Sequence, residues 1–282
     1  MIVDLVELLA HPAFMLLMIL GLDLIFGDPV YRFHPVRMIG SLISWHEAGL
    51  RHSGLNGKFG GVLLSLLLIL STLLFSMGIF KFLEYFHWSL SWVWYVFLGW
   101  SFLALGDLLK HARQVAAAME KEDLSLSKVT VGKLVGRDTN LMDLPACGRA
   151  TVESVGENFN DGVIAPIFYF CLFGIPGILV YKVVNTLDSM VGYRNEQYHD
   201  FGWCSAKLDD LMSFMPARIS WLFLSGAAVF HPQLSGSNAL KVGWRDHFKL
   251  PSFNRSEEHT SELQSLVNLV CRLLLEKTNN NE

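Results

Sequence analysis

Glu153, Glu157 and Asp161 stand at successive four-residue steps in the run RATVESVGENFND, residues 149–161. On a helix that spacing puts three carboxylates on one face, with Asn158 and Asn160 beside it. Like charges so placed weaken an isolated helix by roughly a few tenths of a kcal/mol per pair. An apolar segment, 163–184, follows at once. An acidic stripe against such a segment is costly unless cations or hydrogen-bond donors meet it. Carboxylate oxygens at this spacing suit Mg²⁺, a hard ion that takes oxygen ligands and keeps some of its waters.

Four further polar clusters have residue types that handle phosphate or carboxylate. The first is Asp23, Asp28, His34 and Arg37 around GDPxxxxHPVR; the second is Gly136-Arg137-Asp138-Thr139. The third is NTLDSMVGYRNEQY, with Asn185, Asp188, Tyr193, Arg194 and Tyr198; the fourth is AKLDDLMSFMPAR, with Lys207, Asp209, Asp210 and Arg218. Arg245 and Asp246 form a smaller group. Each has a plainer reading. Asp28 before Pro29 is a turn former, and His34 before Pro35 is a loop histidine. Arg137 and Asp138 pair with each other or with neighbours, and Asp188 after Asn185 caps a helix. Together, acids and cations recurring beside apolar segments are functional candidates. The chemistry they suit is a phosphorylated ligand held with magnesium: guanidinium forks clamp the anion and carboxylates hold the metal. No GxxxxGK[ST] loop is present, so a nucleotide would bind in an unusual site. HExxH and GxSxG are absent, which argues against a zinc protease and the usual serine-hydrolase elbow. Scattered histidines give no support to haem or copper.

These groups are carried on an apolar framework. The chain has 282 residues, 52% hydrophobic and 17% charged, where soluble domains average about 25% charged. Mean hydropathy is +0.37. The uncharged run 62–80 is long enough to cross a bilayer. Run 89–106 is similar, with Trp92, Trp94, Tyr95 and Trp100 suited to the interface. Run 12–26 is shorter and carries Asp23. The start lacks a basic region and a small-residue cleavage site, so this first block is expected to stay as an anchor. The positive-inside rule places the polar loop holding Arg32 and the polar stretch 107–161 on the cytoplasmic side, with the short Lys81 loop outside. The start of that stretch, DLLKHARQVAAAMEKEDL, has helical periodicity. Segment 163–184 contains Pro166 and the sequence GIPG at 174–177. One straight crossing would put Lys182, Arg194, Lys207 and Arg218 outside, against the charge rule. A re-entrant or broken helical hairpin keeps them inside. Net charge is only −4, which excludes a nucleic-acid footprint. The four cysteines form no CxxC pair, so no zinc knuckle or disulfide framework is indicated. The expected fold is an all-α integral membrane protein, a polytopic helical bundle with broken or re-entrant segments and a polar site facing the cytoplasm. Residues 255–282 include RSEEHTSELQS and LVCRLLLEK, which match translated sequencing-adapter DNA. They are expected not to be native, leaving 1–254 as a single, C-terminally truncated domain.

In order along the chain, GDPVYRFHPVRMIG, VGRDT, VESVGENFNDGVIAPIFY, YKVVNTLDSMVGY, KLDDLMSFMPAR and WRD resemble the CobD/CbiB family, adenosylcobinamide-phosphate synthases of cobalamin biosynthesis. The similarity runs from about residue 23 to 254, ending in RDHFKLPSFN, where Phe253 stands in place of the usual proline. The resemblance implies a multi-pass inner-membrane ligase. It joins aminopropanol, or its O-phosphate, to the free propionate carboxylate of adenosylcobyric acid, using ATP and magnesium, through an acyl phosphate. The corrinoid is substrate, not prosthetic group. Other pathway enzymes and membrane lipid are expected partners. By residue type and motif position, Glu153, Glu157, Asp161 and Asp188 are the catalytic candidates. His34, Arg37, Arg137, Asp138, Asn158, Asn185, Arg194, Lys207 and Arg218 are candidates for substrate and phosphate. Glu157, Asp161, Asp209 and Asp210 are candidates for magnesium. The alternatives are a non-catalytic corrinoid-binding or transport protein, and a signalling protein of the AmpE type. The second would not carry VGRDT, ENxxDG and NTLDSMVGY together.

Overall fold

A computed structural model describes residues 11–28, 31–136, 138–229 and 240–241. The described residues are mostly helical, with no strand among them. The elements are α1 (Pro12–Phe26), α2 (Pro35–His52), α3 (Lys58–Phe86), α4 (Trp88–Ser101), α5 (Leu105–Glu120), α6 (Leu124–Val131) and α7 (Leu144–Phe159). A π-helical turn (Asn160–Ile164), α8 (Ala165–Val191) and α9 (Trp203–Val229) complete them. The chain forms two compact units, each discontinuous in sequence. Among the described residues, unit 1 is drawn from those up to 105 and from 165–212, and unit 2 from 106–164 and from 213 onward. The expected boundary at residue 254 and the adapter-like tail lie outside the described residues.

Among the described residues, three helical stretches are long and apolar enough to cross a membrane: Lys58–Phe86, Trp88–Glu120 and Leu144–Val191. The all-α membrane class expected from composition is the class observed. Helix α3 shows why water is the wrong solvent for unit 1. It exposes Leu66, Leu70, Leu74 and Phe75 and buries Gly60, Gly61, Ser65, Thr72 and Ser76. Small residues inside let helices approach closely, and leucines outside match lipid. Ser65 and Thr72 donate their hydroxyls to the carbonyls of Gly61 and Leu68, which satisfies them without water. The core of unit 1 joins Ile19 of α1, Ile39 and Ile43 of α2, Leu64 and Leu68 of α3, Val96 and Leu98 of α4, and Ile178, Val183 and Leu187 of α8. In unit 2, Val115, Val131, Cys147 and Ala150 form a smaller core.

Three sequence expectations change. The polar segment after α1 is not a loop: 35–52 is helical, because Ile39 and Ile43 bury one stripe while Arg37, Ser41 and Trp45 face away from it. The apolar run 89–106 is not one helix. Helix α4 stops at Ser101, and Phe102, Leu103 and Ala104 separate it from α5. Asp188 does not start a helix, since Asn185 and Asp188 lie in the last turns of α8.

The expected break at GIPG is present. Gly174 sits at φ 64°, ψ −150°, a region essentially closed to other residues. The chain doubles back there. Tyr169 and Tyr181 stack with ring centroids 5.4 Å apart, whereas residues 12 positions apart on a straight helix are separated by about 18 Å. The Tyr169 carbonyl also lies where a side chain on Gly177 would begin. The two arms of α8 therefore lie side by side as a broken helical hairpin.

Candidate functional site

In unit 1, Asp28, Tyr31 and His34, the first turn of α2, the α4–α5 break and Lys182 of α8 line a part-open cavity of about 300 Å³. Asp28, Tyr31, His34, Arg37, Ser101 and Lys182 supply its polar lining. Each arrives by a local rule. Pro35 occupies the first position of α2, where its missing N–H costs nothing. His34 precedes it as the N-cap residue but gives no side-chain cap, so its imidazole is left for the cavity. Arg37 is in the first helical turn and reaches the Tyr31 carbonyl at 3.5 Å. Trp100 donates its indole N–H to the Gly27 carbonyl at 3.0 Å, fixing the chain that leads to Asp28.

His34 is buried, and its Nε2 lies 2.8 Å from Asp28 Oδ1. The approach is ionic in distance but not aligned as a hydrogen bond, and both atoms, with the Tyr31 hydroxyl, are buried without a hydrogen-bond partner. Buried polar atoms left so are costly unless a ligand meets them. Sequence reasoning selected His34 and Arg37 and passed over Tyr31, Ser101 and Lys182. A lone cation inside the apolar segment was the available signal for Lys182.

A second polar group in unit 1 joins α8 and α9. Asn185 donates Nδ2 to Asp209 Oδ1 at 3.5 Å, and Asp209 is buried. Lys207 pairs with Asp210 at 3.0 Å one turn along α9. Asp188 lies on the same last turns of α8 as Asn185. Arg194 is exposed on the loop 192–202. Arg51 of α2 clasps that loop. It donates Nε to Glu47 at 2.8 Å and Nη2 to the Gln197 carbonyl at 3.1 Å, and lies over the rings of Tyr198 and Phe201. Burial first, then the Glu47 carboxylate that its hydroxyl meets, raise the Tyr198 phenol above its ordinary value.

In unit 2 the acidic stripe forms as expected on α7 and the π-turn, and the Glu157 carboxylate feels the charges of both Asp161 and Glu153. Asp143 caps the helix by accepting from the Ala146 N–H at 2.7 Å. Asn158 donates to the Ser154 carbonyl at 2.8 Å, which turns it back onto its own helix. The π-turn begins at buried Asn160. Its amide donates to Asp161 Oδ1 at 2.8 Å and accepts from the Ser220 hydroxyl of α9 at 3.0 Å. Single π-turns interrupt α-helices mostly at functional sites. Asn160 and Ser220 orient an acid that the sequence selected; neither was selected itself, because their link spans sixty residues.

Two candidates have local roles. Asp138 accepts from the Asn140 N–H at 2.9 Å in a turn. Arg218 donates to the Phe214 carbonyl at 2.7 Å and stacks on the Phe214 ring. Arg137 lies outside the described residues. The expected magnesium ligands fall as two pairs, Glu157 with Asp161 in unit 2 and Asp209 with Asp210 in unit 1. Among the described residues no group of three or more His, Cys, Asp or Glu is close enough to hold a metal alone. A pair of carboxylates still fits magnesium that is also bound by substrate phosphates, its usual mode.

The chain matches the family model described as CobD/Cbib protein over residues 16–260. It is 41% identical over 236 residues to "Cobalamin biosynthesis protein CobD" of Photorhabdus laumondii, covering 83% of this chain and 74% of that protein. It is 39% identical over 236 residues to "Cobalamin biosynthesis protein CbiB" of Salmonella arizonae, with the same coverage. With "Cobalamin biosynthesis protein CobD" of Geobacter metallireducens it shares 43% over 225 residues, 80% of this chain and 70% of that protein. No solved structure matches. With the motifs in order and a match across most of its length, the chain belongs to the CobD/CbiB family.

Proposed function

We propose that this protein acts in cobalamin biosynthesis as a multi-pass inner-membrane ligase. It forms an amide between aminopropanol, or its O-phosphate, and the free propionate of adenosylcobyric acid. A carboxylate does not react usefully with an amine at neutral pH, because oxide is a poor leaving group. ATP removes the obstacle: a propionate oxygen attacks the γ-phosphorus and ADP leaves. The amine nitrogen then attacks the acyl carbon, inorganic phosphate leaves with the former carboxylate oxygen, and a base takes the nitrogen's proton. The products are the amide, ADP and phosphate.

This chain's residues divide the work by type. Glu157 and Asp161 would hold magnesium together with the nucleotide phosphates, and the bound ion would supply positive charge for the phosphoryl oxygens. Asn160 keeps Asp161 in one orientation. Glu153 and Asp188 are the remaining base candidates. Arg194 on its clasped loop, with Arg37, His34 and Lys182 around the cavity, takes the anionic groups of the substrates. The observation that carries most weight is the unit 1 cavity, where buried polar atoms without a hydrogen-bond partner share a lining with Arg37 and Lys182 in a chain of this family.

The test is a reconstitution. Purified protein in detergent receives adenosylcobyric acid, Mg-ATP and either amine, and the corrinoid is weighed by mass spectrometry. A mass gain equal to the amine less one water, dependent on ATP, is expected. Corrinoid binding with neither mass gain nor ATP consumption would make the protein a binding or transport component instead.

A further inference from the structure

The unit 1 cavity has both signs of charge inside a small volume. Its lining carries the cations Arg37 and Lys182. The first turn of α2 adds to them, since helix N-termini carry unsatisfied N–H groups and partial positive charge, and no side chain caps this one. Asp28 supplies a carboxylate on the same lining, and the Tyr31 and Ser101 hydroxyls complete it. His34 is 95% buried by its 5% exposure, and its Nε2 has no aligned hydrogen bond. A lining of this kind is poorly matched to a simple anion, which Asp28 would repel, and to a simple amine, which the cations would repel. It matches a molecule with an ammonium at one end and an anionic group at the other.

Volume narrows the class further. A cavity of about 300 Å³ holds the equivalent of about ten waters at ~30 Å³ each. A short amino alcohol phosphate has close to that number of non-hydrogen atoms. A nucleoside triphosphate has several times as many, and a corrinoid more again. The small molecule is the one whose two opposite charges this lining of mixed sign matches.

From this geometry we infer that the cavity is the seat of the small amine co-substrate, gripped at both ends. Arg37 and Lys182 take its anionic group and Asp28, steadied by His34, takes its ammonium. The inference rests on the ligase reading for the identity of the amine. It also adds an assignment: nucleotide and corrinoid bind elsewhere, and Asp28 becomes a substrate-binding residue rather than only a turn former.

Calorimetry on the full chain in detergent, without ATP or corrinoid, tests it. The ligands are 1-amino-2-propanol O-phosphate, 1-amino-2-propanol, isopropyl phosphate and ATP. The amine phosphate should bind at least tenfold tighter than either single-ended analogue, and ATP should not compete with it. Arg37→Gln should weaken both phosphates about tenfold and leave the plain amine unchanged. Asp28→Asn should weaken both amines and leave isopropyl phosphate unchanged. Lys182→Gln repeats the phosphate arm should Arg37→Gln melt early. The assignment is overturned if the amine phosphate fails to bind, if ATP displaces it, or if the substitutions weaken every ligand alike. Since no turnover is needed, an intact binding pattern in a protein that forms no amide would overturn the ligase reading and leave the cavity assignment standing.

Discussion

Asp161 is held by a buried amide rather than left to rotate. Asn160 receives the Ser220 hydroxyl and gives its own N–H to Asp161. Ser220→Ala removes one hydrogen bond, costing about 1 kcal/mol of stability. Turnover should fall roughly tenfold or more, because small misplacements of reacting groups are expensive. Ser220→Thr keeps the hydroxyl and should keep the rate; initial rates on both variants, with melting curves, check this. Glu157→Gln and Asp161→Asn should each lower the rate by about 10²–10³, the usual loss when a group stabilising transition-state charge is removed. Near-normal initial rates would remove the stripe from the mechanism. The stripe was legible in the sequence because helical spacing is a local property. Tyr31, Ser101 and Lys182 were not, because they meet only after three separate segments converge. Asp138 and Arg218 show the reverse: candidates chosen by residue type and motif, each also engaged by its own neighbours.

At the scale of elements, the breaks matter more than the helices. Helix α8 folds back at Gly174 and packs tightly at Gly177. Gly174→Ala forces a side chain into a backbone region that costs roughly 1–3 kcal/mol. Gly177→Ala places a methyl against the Tyr169 carbonyl and should separate the arms. Both variants should melt earlier in detergent, whereas alanine at Gly226, where nothing lies within 4 Å, should not. The GIPG break could be read ahead because Gly and Pro interrupt helices by covalent structure alone. The stop of α4 at Ser101 could not, since the apolar run continues through Phe102 and Leu103 without any breaker. Helix α2 was hidden by its two glycines and its charges, although its buried stripe at Ile39 and Ile43 has ordinary helical spacing. The Arg51 clasp is a third element-level device. Arg51→Ala removes two hydrogen bonds and two ring contacts, so amide exchange across 192–202 should rise while exchange in α3 stays slow.

At the scale of the whole molecule, apolar blocks settled the class before any contact was known, but division into two units was not visible. Each unit is assembled from distant stretches of chain, and composition does not change at their borders. By the charge rule, the hairpin in α8 is expected to keep the Arg194 loop on the same membrane side as the Arg32 segment. Single cysteines in a cysteine-free background test this: Glu84→Cys should react with an impermeant thiol reagent added outside intact cells, and Glu196→Cys only after permeabilisation. The central claim is that ATP energises a carboxyl group by phosphorylating it. Adenosylcobyric acid carrying ¹⁸O in its free propionate, turned over with Mg-ATP and aminopropanol phosphate, tests it most directly. ADP equal to the amide formed and one ¹⁸O in each phosphate released are expected when both propionate oxygens are labelled. Amide formed with AMP and pyrophosphate, or released phosphate free of label, would contradict it.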